Sequence, residues 1–166
     1  SLNILSATMN MKRLLILFYL LACTVGFTYA QSAIKQTINS NWEFFEGDIA
    51  GFPAKKADSI KWEKISIPHS WNVSDVNDDE PGYYRGIGWY KKTIYVPESW
   101  NNKSIYLYFE GANQVTEVFV NGKFVGKHIG GYTAFSFSID QFLTHNSGGL
   151  TANEIEVKVD NSHNEN

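Results

Sequence analysis

Short segments in which apolar and polar residues alternate recur along the second half of the chain, and they constrain its fold more than any other feature. One covers residues 105–110, a second covers 135–140 and a third covers 155–160. A period of two places successive side chains on opposite faces of a strand, so each segment predicts a strand with one buried face. No segment shows sustained helical periodicity, and residues 140–143 predict at most a turn.

Turn signals separate these predicted strands. Asn121-Gly122 lies between two apolar runs, and because both residues tolerate positive φ they predict a two-residue hairpin. Ser147-Gly148-Gly149 predicts a loop tip. Many short strands joined by turns predict an all-β sandwich. The apolar faces give the expected core: Leu107, Phe109, Val118, Val120, Phe135, Phe137, Ile155 and Val157.

The first thirty residues differ from the rest of the chain. Lys12-Arg13 precede an apolar run over residues 14–21, and Thr28-Tyr29-Ala30 form a small-residue cleavage site. This order predicts an upstream extension with a signal peptide over 1–30, a lead-in over 31–40 and a domain over 41–166. We therefore expect an exported protein, periplasmic or secreted. The alternative is a lipid anchor on Cys23. Because Cys23 is the only cysteine of the chain, the mature domain can form no internal disulfide.

Charge and spacing argue against several functions. A net charge of −3 without a Lys/Arg stripe gives no electrostatic reason to expect nucleic acid as a partner. No His, Cys, Asp or Glu spacing resembles a metal site, and no catalytic triad is suggested. The dense carboxylates at Asp75, Asp78, Asp79 and Glu80 lie in a turn-rich loop and predict a solvated surface. We therefore predict no catalytic residue, no metal and no cofactor in this chain.

Two aromatic stretches, residues 67–72 and 83–90, flank that acidic loop. Each places aromatic rings beside a backbone break together with one imidazole or one cation, His69 in the first and Arg85 in the second. Rings stack on the C–H faces of a sugar, and charged or amide groups bind its hydroxyls, so the pair of stretches favours a sugar site. The alternative is that Trp71 and Trp89 close one end of the sandwich core.

The order and spacing of the motifs resemble the N-terminal sugar-binding domain of glycoside hydrolase family 2, the β-galactosidase and β-glucuronidase family. The resemblance runs from Trp42 to about Asn161. Its landmarks are Trp42-Glu43-Phe44, Ile67-Pro68-His69-Ser70-Trp71-Asn72, Tyr84-Arg85-Gly86-Ile87-Gly88-Trp89-Tyr90, Phe109-Glu110-Gly111-Ala112, Val118-Phe119-Val120-Asn121-Gly122-Lys123, His128-Ile129-Gly130-Gly131-Tyr132 and Asn153-Glu154-Ile155. It implies a jelly-roll β-sandwich of the galactose-binding-domain type, and the Pro-His-x-Trp-Asn motif looks more like the β-galactosidase branch.

In family 2 the two catalytic glutamates lie on a barrel that follows the jelly roll and an immunoglobulin-like domain. The resemblance therefore implies a non-catalytic part of a longer retaining exo-β-glycosidase, with a β-glycoside as substrate and those two domains as partners. A fragment without the glutamates is expected to be inactive. The family's next strand, Gly-Gly-Ile-x-Arg, does not occur here, so we expect the domain to be truncated at its C-terminal end. The alternatives are a free-standing carbohydrate-binding module, a β-glucuronidase-type member, and a structural or adhesion sandwich without a sugar site.

The resemblance also implies site residues. A β-galactosidase asparagine that reaches the galactose pocket aligns with Arg85, which brings a charged five-donor group in place of a neutral amide. The alternative role for Arg85 is an ion pair with Asp79 or Glu80. Tyr84 and Trp89 are expected to flank the sugar or the neighbouring domain, with burial as the alternative for Trp89. His69 and Trp71 are expected to orient the loop.

Overall fold

The computed structural model describes residues 33–54, 59–71 and 84–162. Its backbone contacts divide the chain into a unit of residues 1–37 and a unit of residues 38–166, and the second contains every strand described below. The predicted signal peptide, Cys23 and the acidic loop lie outside the described residues. Within those residues, no helix has the length and hydrophobicity needed to cross a lipid bilayer.

Eight strands form two antiparallel sheets in the described part of the chain. The strands are β1 (Trp42–Glu46), β2 (Glu63–Ile65), β3 (Ile87–Pro97), β4 (Tyr106–Phe109), β5 (Val115–Val120), β6 (Lys123–Ile129), β7 (Phe135–Ser138) and β8 (Leu150–Asp160). Six of them form one sheet in the order β2-β1-β3-β8-β5-β6, and β4 pairs with β7 in the other. The all-β sandwich prediction is confirmed, whereas the finer jelly-roll assignment stays a prediction.

One face of the six-stranded sheet carries the main core. Cross-strand pairing aligns Tyr90, Val157, Val118 and Gly126 on this face. A Cβ on Gly126 would lie 2.4 Å from the ring of Phe137, so the missing side chain is what lets the β4–β7 sheet approach. The buried cluster comprises Trp42, Val96, Leu107, Val118, Val120, Ile139, Leu143, Ile155, Val157 and Val159.

The predicted core residues lie where their alternating pattern placed them, with differences in depth. Leu107, Val118, Val120, Ile155 and Val157 are buried. Phe109 and Phe137 are half-buried and pack against the core cluster. Phe135 is also half-buried, and its ring stacks on Phe109 at 4.7 Å between centroids. The predicted strand register is therefore confirmed, but the two-stranded sheet covers its aromatic residues only in part.

The opposite face of the six-stranded sheet is also covered, which the alternation in β8 did not predict. Glu156 was expected on a polar face, yet it is only 2% exposed. Its Oε1 accepts a hydrogen bond from the Gly122 amide at 3.1 Å, while Oε2 has no hydrogen-bond partner among the described residues. Burial, reinforced by the negative charge of Glu154, raises the pKa of Glu156 to about 7. A one-sided strand was thus the wrong expectation for the middle of β8.

The segment that follows β1 supplies this outer cover. Phe52 packs edge-on against Trp89 at 4.9 Å and lies 5.5 Å from Trp62. The Lys91 ammonium lies 4.4 Å from the Trp62 ring, in cation–π geometry. A second, smaller aromatic layer therefore lies outside the sheet.

The predicted turns are confirmed. Asn121 and Gly122 have φ values of 53° and 74°, as a two-residue hairpin with two left-handed positions requires. Asp140–Phe142 form a single 3-10 turn, and a second one covers Glu98–Trp100. Residues 147–149 form the turn before β8.

Candidate functional site

The residues predicted to bind sugar lie at one end of the six-stranded sheet. Tyr84 and Arg85 precede β3, whose first residue, Ile87, pairs with Asp160 at the end of β8. Asp160 pairs in turn with Val115 at the start of β5. We call this end of the sandwich the Arg85 end.

Asn161 fixes the backbone on both sides of Arg85. Its Oδ1 accepts a hydrogen bond from the Gly86 amide at 2.7 Å, and its Nδ2 donates to the Tyr84 carbonyl at 3.2 Å. The backbone N–H of Asn161 also donates to the Gly86 carbonyl at 2.9 Å. The exposed Arg85 side chain therefore projects from a backbone held by three hydrogen bonds, which lowers the entropy lost when it binds a ligand.

An aromatic hydrogen-bond network lies beside this backbone. Trp71 donates its indole N–H to the Tyr90 hydroxyl at 2.5 Å, and His69 Nδ1 lies 3.2 Å from the same hydroxyl. Because indole only donates, the Tyr90 hydroxyl accepts from Trp71 and has its own proton for His69. That bond forms in the His69 tautomer whose Nδ1 is unprotonated.

Burial of the network has the electrostatic effect that this proton assignment needs. It lowers the pKa of His69, with Glu63 acting in the opposite direction. It also raises the pKa of Tyr90 to about 12, although the bond from Trp71 opposes the rise. A neutral imidazole and a neutral phenol are therefore the stable pair at physiological pH.

Glycine and phenylalanine shape the space that Trp71 occupies. A Cβ on Gly88 would lie 2.5 Å from the Trp71 ring, so only glycine lets the indole lie against β3. Phe44 packs against His69, Trp71 and Tyr90 at centroid distances of 4.7, 5.9 and 4.9 Å. His69 and Trp71 thus join a network whose central residue is Tyr90, which the sequence analysis did not single out.

Tyr84 and Trp89, the two aromatic residues proposed to flank the sugar, lie in different environments. Tyr84 is half-buried, its ring centroid lies 5.6 Å from that of Trp71, and its hydroxyl donates to the Ile87 carbonyl at 3.0 Å. Burial, with Glu46 as the next cause, raises the pKa of Tyr84. Trp89 is 2% exposed beneath Phe52 on the outer face of the sheet. Such burial leaves Trp89 no surface for a sugar, so its role is packing, the alternative that the sequence allowed.

An open cleft of about 640 Å³ adjoins the aromatic network. Strands β1 and β2 line it together with Ser66 and residues 69–71. Lys61, Glu46 and Glu63 bring charges of both signs to its wall. In residues 33–54, 59–71 and 84–162, no three His, Cys, Asp or Glu side chains cluster as metal ligands would. The cleft therefore has the polar and aromatic groups of a binding surface, and Arg85 lies outside its lining.

The sequence profile described as "Glycosyl hydrolases family 2, sugar binding domain" matches residues 27–163. The chain belongs to this family. It is 33% identical over 138 residues to a β-glucuronidase of Bacteroides fragilis, a match that covers 81% of this chain and 18% of that protein. It is 34% identical over 122 residues to a β-galactosidase of Thermoanaerobacter pseudethanolicus, covering 74% and 16% of the two chains.

Solved structures give the same assignment. The Bacteroides uniformis β-glucuronidase 2, covalently bound to cyclophellitol-6-carboxylate aziridine, superposes with a TM-score of 0.66 and 39% identity. The superposition covers 77% of this chain and 15% of that enzyme. The chain thus spans less than a fifth of the relatives it matches, and it corresponds to their non-catalytic N-terminal domain.

Proposed function

We propose that this chain is the sugar-binding domain of a retaining exo-β-glycosidase and that the Arg85 end helps to bind the carboxylate of a β-glucuronide. The observation that carries the proposal is Arg85 itself. The family resemblance given in the sequence analysis aligns it with a neutral amide of β-galactosidases. It is exposed there, on a backbone that Asn161 fixes.

The chemistry of the guanidinium explains the choice of sugar. Its two parallel N–H groups match a carboxylate in a bidentate geometry that a neutral hydroxyl cannot offer. A glucuronide carries a carboxylate at C6, where a galactoside carries a hydroxymethyl group. An arginine in place of an amide therefore favours the acidic sugar, a revision of the β-galactosidase specificity that the Pro68-His69-x-Trp71-Asn72 motif suggested.

The relatives support the same proposal. One of them is named a β-glucuronidase of Bacteroides fragilis, and the Bacteroides uniformis enzyme holds an inhibitor with a 6-carboxylate. The second candidate is a β-galactosidase, which the Thermoanaerobacter pseudethanolicus relative favours. In either case the domain orients sugar, and hydrolysis by two glutamates takes place on a barrel that follows it. The fragment by itself is therefore proposed to be inactive.

The test uses the full-length enzyme that carries this domain, with 4-nitrophenyl β-glucuronide and 4-nitrophenyl β-galactoside as substrates. We expect the glucuronide to have the higher kcat/KM. In Arg85→Asn, which restores the galactosidase-like amide, kcat/KM for the glucuronide is expected to fall about 10–150-fold, the equivalent of 1.5–3 kcal/mol. The galactoside value is expected to change less than about threefold, because that sugar has no carboxylate to lose its partner.

Lys103→Asn is the matched control, because Lys103 is an exposed cation in the loop that follows Glu98–Trp100. It should leave both kcat/KM values unchanged. A wild-type preference for the galactoside, or an equal loss on both substrates in Arg85→Asn, contradicts the proposed specificity.

A further inference from the structure

Glu156 is a buried carboxyl outside the candidate site. It lies on the outer face of β8, between Lys91 of β3 and Phe119 of β5, and it is 2% exposed. Its Oε1 accepts the Gly122 amide, whereas its Oε2 has no hydrogen-bond partner among the described residues. A neutral carboxyl is stable in such a position, but a buried carboxylate with an unused oxygen is costly. The fold as it stands therefore favours protonated Glu156.

The segment that covers this carboxyl is residues 47–54, which follow β1 and which we call the outer strap. The ring of Phe52 packs on the outer face of β3. The Pro53 carbonyl oxygen would lie 3.4 Å from a Cβ on Gly122, the residue that donates to Glu156. The outer strap therefore crosses the sheet from β3 to the β5–β6 hairpin and passes over the Glu156 side chain.

The two halves of the outer strap are attached in different ways. At its start, the Gly47 amide donates to the Ile87 carbonyl at 2.8 Å, and the Asp48 carboxylate lies 3.5 Å from the Lys158 ammonium. In its second half, the ring of Phe52 attaches the strap by packing against two tryptophan rings. Because ring contacts separate without the loss of a hydrogen bond, the second half can lift while the first stays attached.

The lysines that neighbour Glu156 on the outer face are already paired. The charged side chains described on this face come from five strands and the strap: Glu43 of β1, Lys91 of β3, Glu117 of β5, Lys127 of β6, Glu154 and Lys158 of β8, and Asp48. Each of the three lysines forms an ion pair with an anion of this set, at 3.4–3.5 Å. Lys123, beside Gly122, alternates with Phe124 and so lies on the other face of β6.

The remaining neighbour opposes ionisation, because Glu154 adds a like charge two residues from Glu156 on the same face of β8. An ionised Glu156 therefore needs water as its partner rather than one of these cations. Water reaches this carboxyl when the outer strap lifts from the sheet.

We propose that the outer strap is a pH-sensitive cover, which lies closed on the sheet while Glu156 is protonated and whose second half lifts when Glu156 ionises. Glu156 is the sensor in this arrangement. The closed strap excludes the water that its carboxylate requires, and the lifted strap admits it. The cover does not depend on which sugar the Arg85 end binds.

The direction of the effect follows from the pKa of Glu156. Burial, with the charge of Glu154 as the next cause, raises this pKa to about 7 from an ordinary value of 4.5. A raised pKa means that Glu156 favours the closed strap fully below pH 4.5 and that this contribution is lost as the pH rises through 7. With an ordinary pKa in the lifted form, the ratio of lifted to closed strap rises about 30-fold from pH 5.5 to pH 8.5.

Hydrogen exchange in the full-length enzyme that carries this domain tests the cover at pH 5.5 and pH 8.5. Its reporter is the Phe52 amide, which donates to the Ile49 carbonyl at 3.1 Å within the strap. An isolated turn protects its amide little, so exchange at Phe52 reports the lifted strap. The protection factor divides out the chemical effect of pH on exchange. From pH 5.5 to pH 8.5 we expect this factor to fall at least about tenfold in the wild type.

Glu156→Gln keeps the side chain neutral at both pH values, so its Phe52 protection factor is expected to change less than about twofold. Glu117→Gln is the matched control, because Glu117 lies on the same face but is paired with Lys127. It should keep the wild-type dependence on pH. An unchanged protection factor in the wild type overturns the inference, and so does an equal loss of pH dependence in Glu117→Gln and Glu156→Gln.

A second amide separates a lifting strap from unfolding of the whole domain. The Ile139 amide donates to the Ile105 carbonyl at 2.8 Å, and Ile139 is 2% exposed in the core between the sheets. We expect Ile139 to be protected at least about tenfold more than Phe52 at both pH values. Equal protection of the two amides would show that the strap opens only when the domain unfolds, and that result overturns the inference.

Discussion

Tyr90→Phe tests whether the aromatic hydrogen-bond network organises the candidate site. The substitution removes one hydroxyl and keeps the ring that packs against Phe44. It leaves the Trp71 indole N–H without its acceptor and His69 Nδ1 without its donor. Each buried polar group left without a partner lowers the free energy of unfolding by about 1–3 kcal/mol. Because water can reach part of this half-buried network, we expect the free energy of unfolding to fall by about 2 kcal/mol in total.

Tyr95→Phe is the control for this substitution, since Tyr95 lies on the same strand and is 64% exposed. It should change the free energy of unfolding by less than about 0.5 kcal/mol. Urea unfolding followed by tryptophan fluorescence measures both variants. Equal effects of Tyr90→Phe and Tyr95→Phe would refute the network.

The same network predicts a dependence of stability on pH. Burial lowers the pKa of His69 in the folded state below its ordinary value of 6.5, so the unfolded chain binds more protons just below that pH. The His69 contribution to stability is therefore complete above pH 6.5 and is lost as the pH falls through the folded pKa. In Tyr90→Phe, the neutral imidazole has no hydrogen bond left to lose, so this acid loss should be smaller. Identical pH profiles for the two proteins would contradict the proton assignment.

Three other predictions concern the core, the outer face and export. Phe137→Ala should lower the free energy of unfolding by about 2–4 kcal/mol, somewhat less than for a fully buried phenylalanine. Ser138→Ala should change it little, and equal losses in urea unfolding would contradict the strand register. Because the pKa of Glu156 is raised to about 7, the folded state keeps a proton on this carboxyl at pH values where the unfolded chain has released it. Stability should therefore fall by about 2–3 kcal/mol from pH 5 to pH 8, a slope that Glu156→Gln should abolish in pH-dependent unfolding. Export should leave Gln31 at the mature N-terminus by intact mass, whereas a diacylated Cys23 contradicts that cleavage site.

Local sequence signals predicted the parts of the fold that depend on neighbouring residues. Asn121-Gly122 predicted its hairpin because positive φ at two consecutive positions is a property of those two residues. The apolar residues of β5 and β8 predicted their buried face because a strand alternates with a period of two. In each case the information lies within a few residues of sequence.

The parts that the sequence did not predict depend on contacts between distant segments. Glu156 is buried because another part of the chain covers the outer face of β8, and nothing within β8 reports that cover. Tyr90 becomes the centre of the site only when residues about twenty positions earlier, His69 and Trp71, fold back onto β3. Asn161 was known only as the end of the resemblance, since its contacts to Tyr84 and Gly86 cross more than seventy residues.

The central claim is that Arg85 belongs to the sugar site, and kinetics and melting measured together on Arg85→Ala in the full-length enzyme test it most directly. Loss of charge-assisted hydrogen bonds worth about 1.5–3 kcal/mol should lower kcat/KM for the glucuronide about 10–150-fold. The Tm should move by less than about 2 °C, because an exposed side chain contributes little to folding. If Arg85 instead forms an ion pair with Asp79 or Glu80, the Tm falls while kcat/KM of the folded enzyme stays at the wild-type value, and that result contradicts the account.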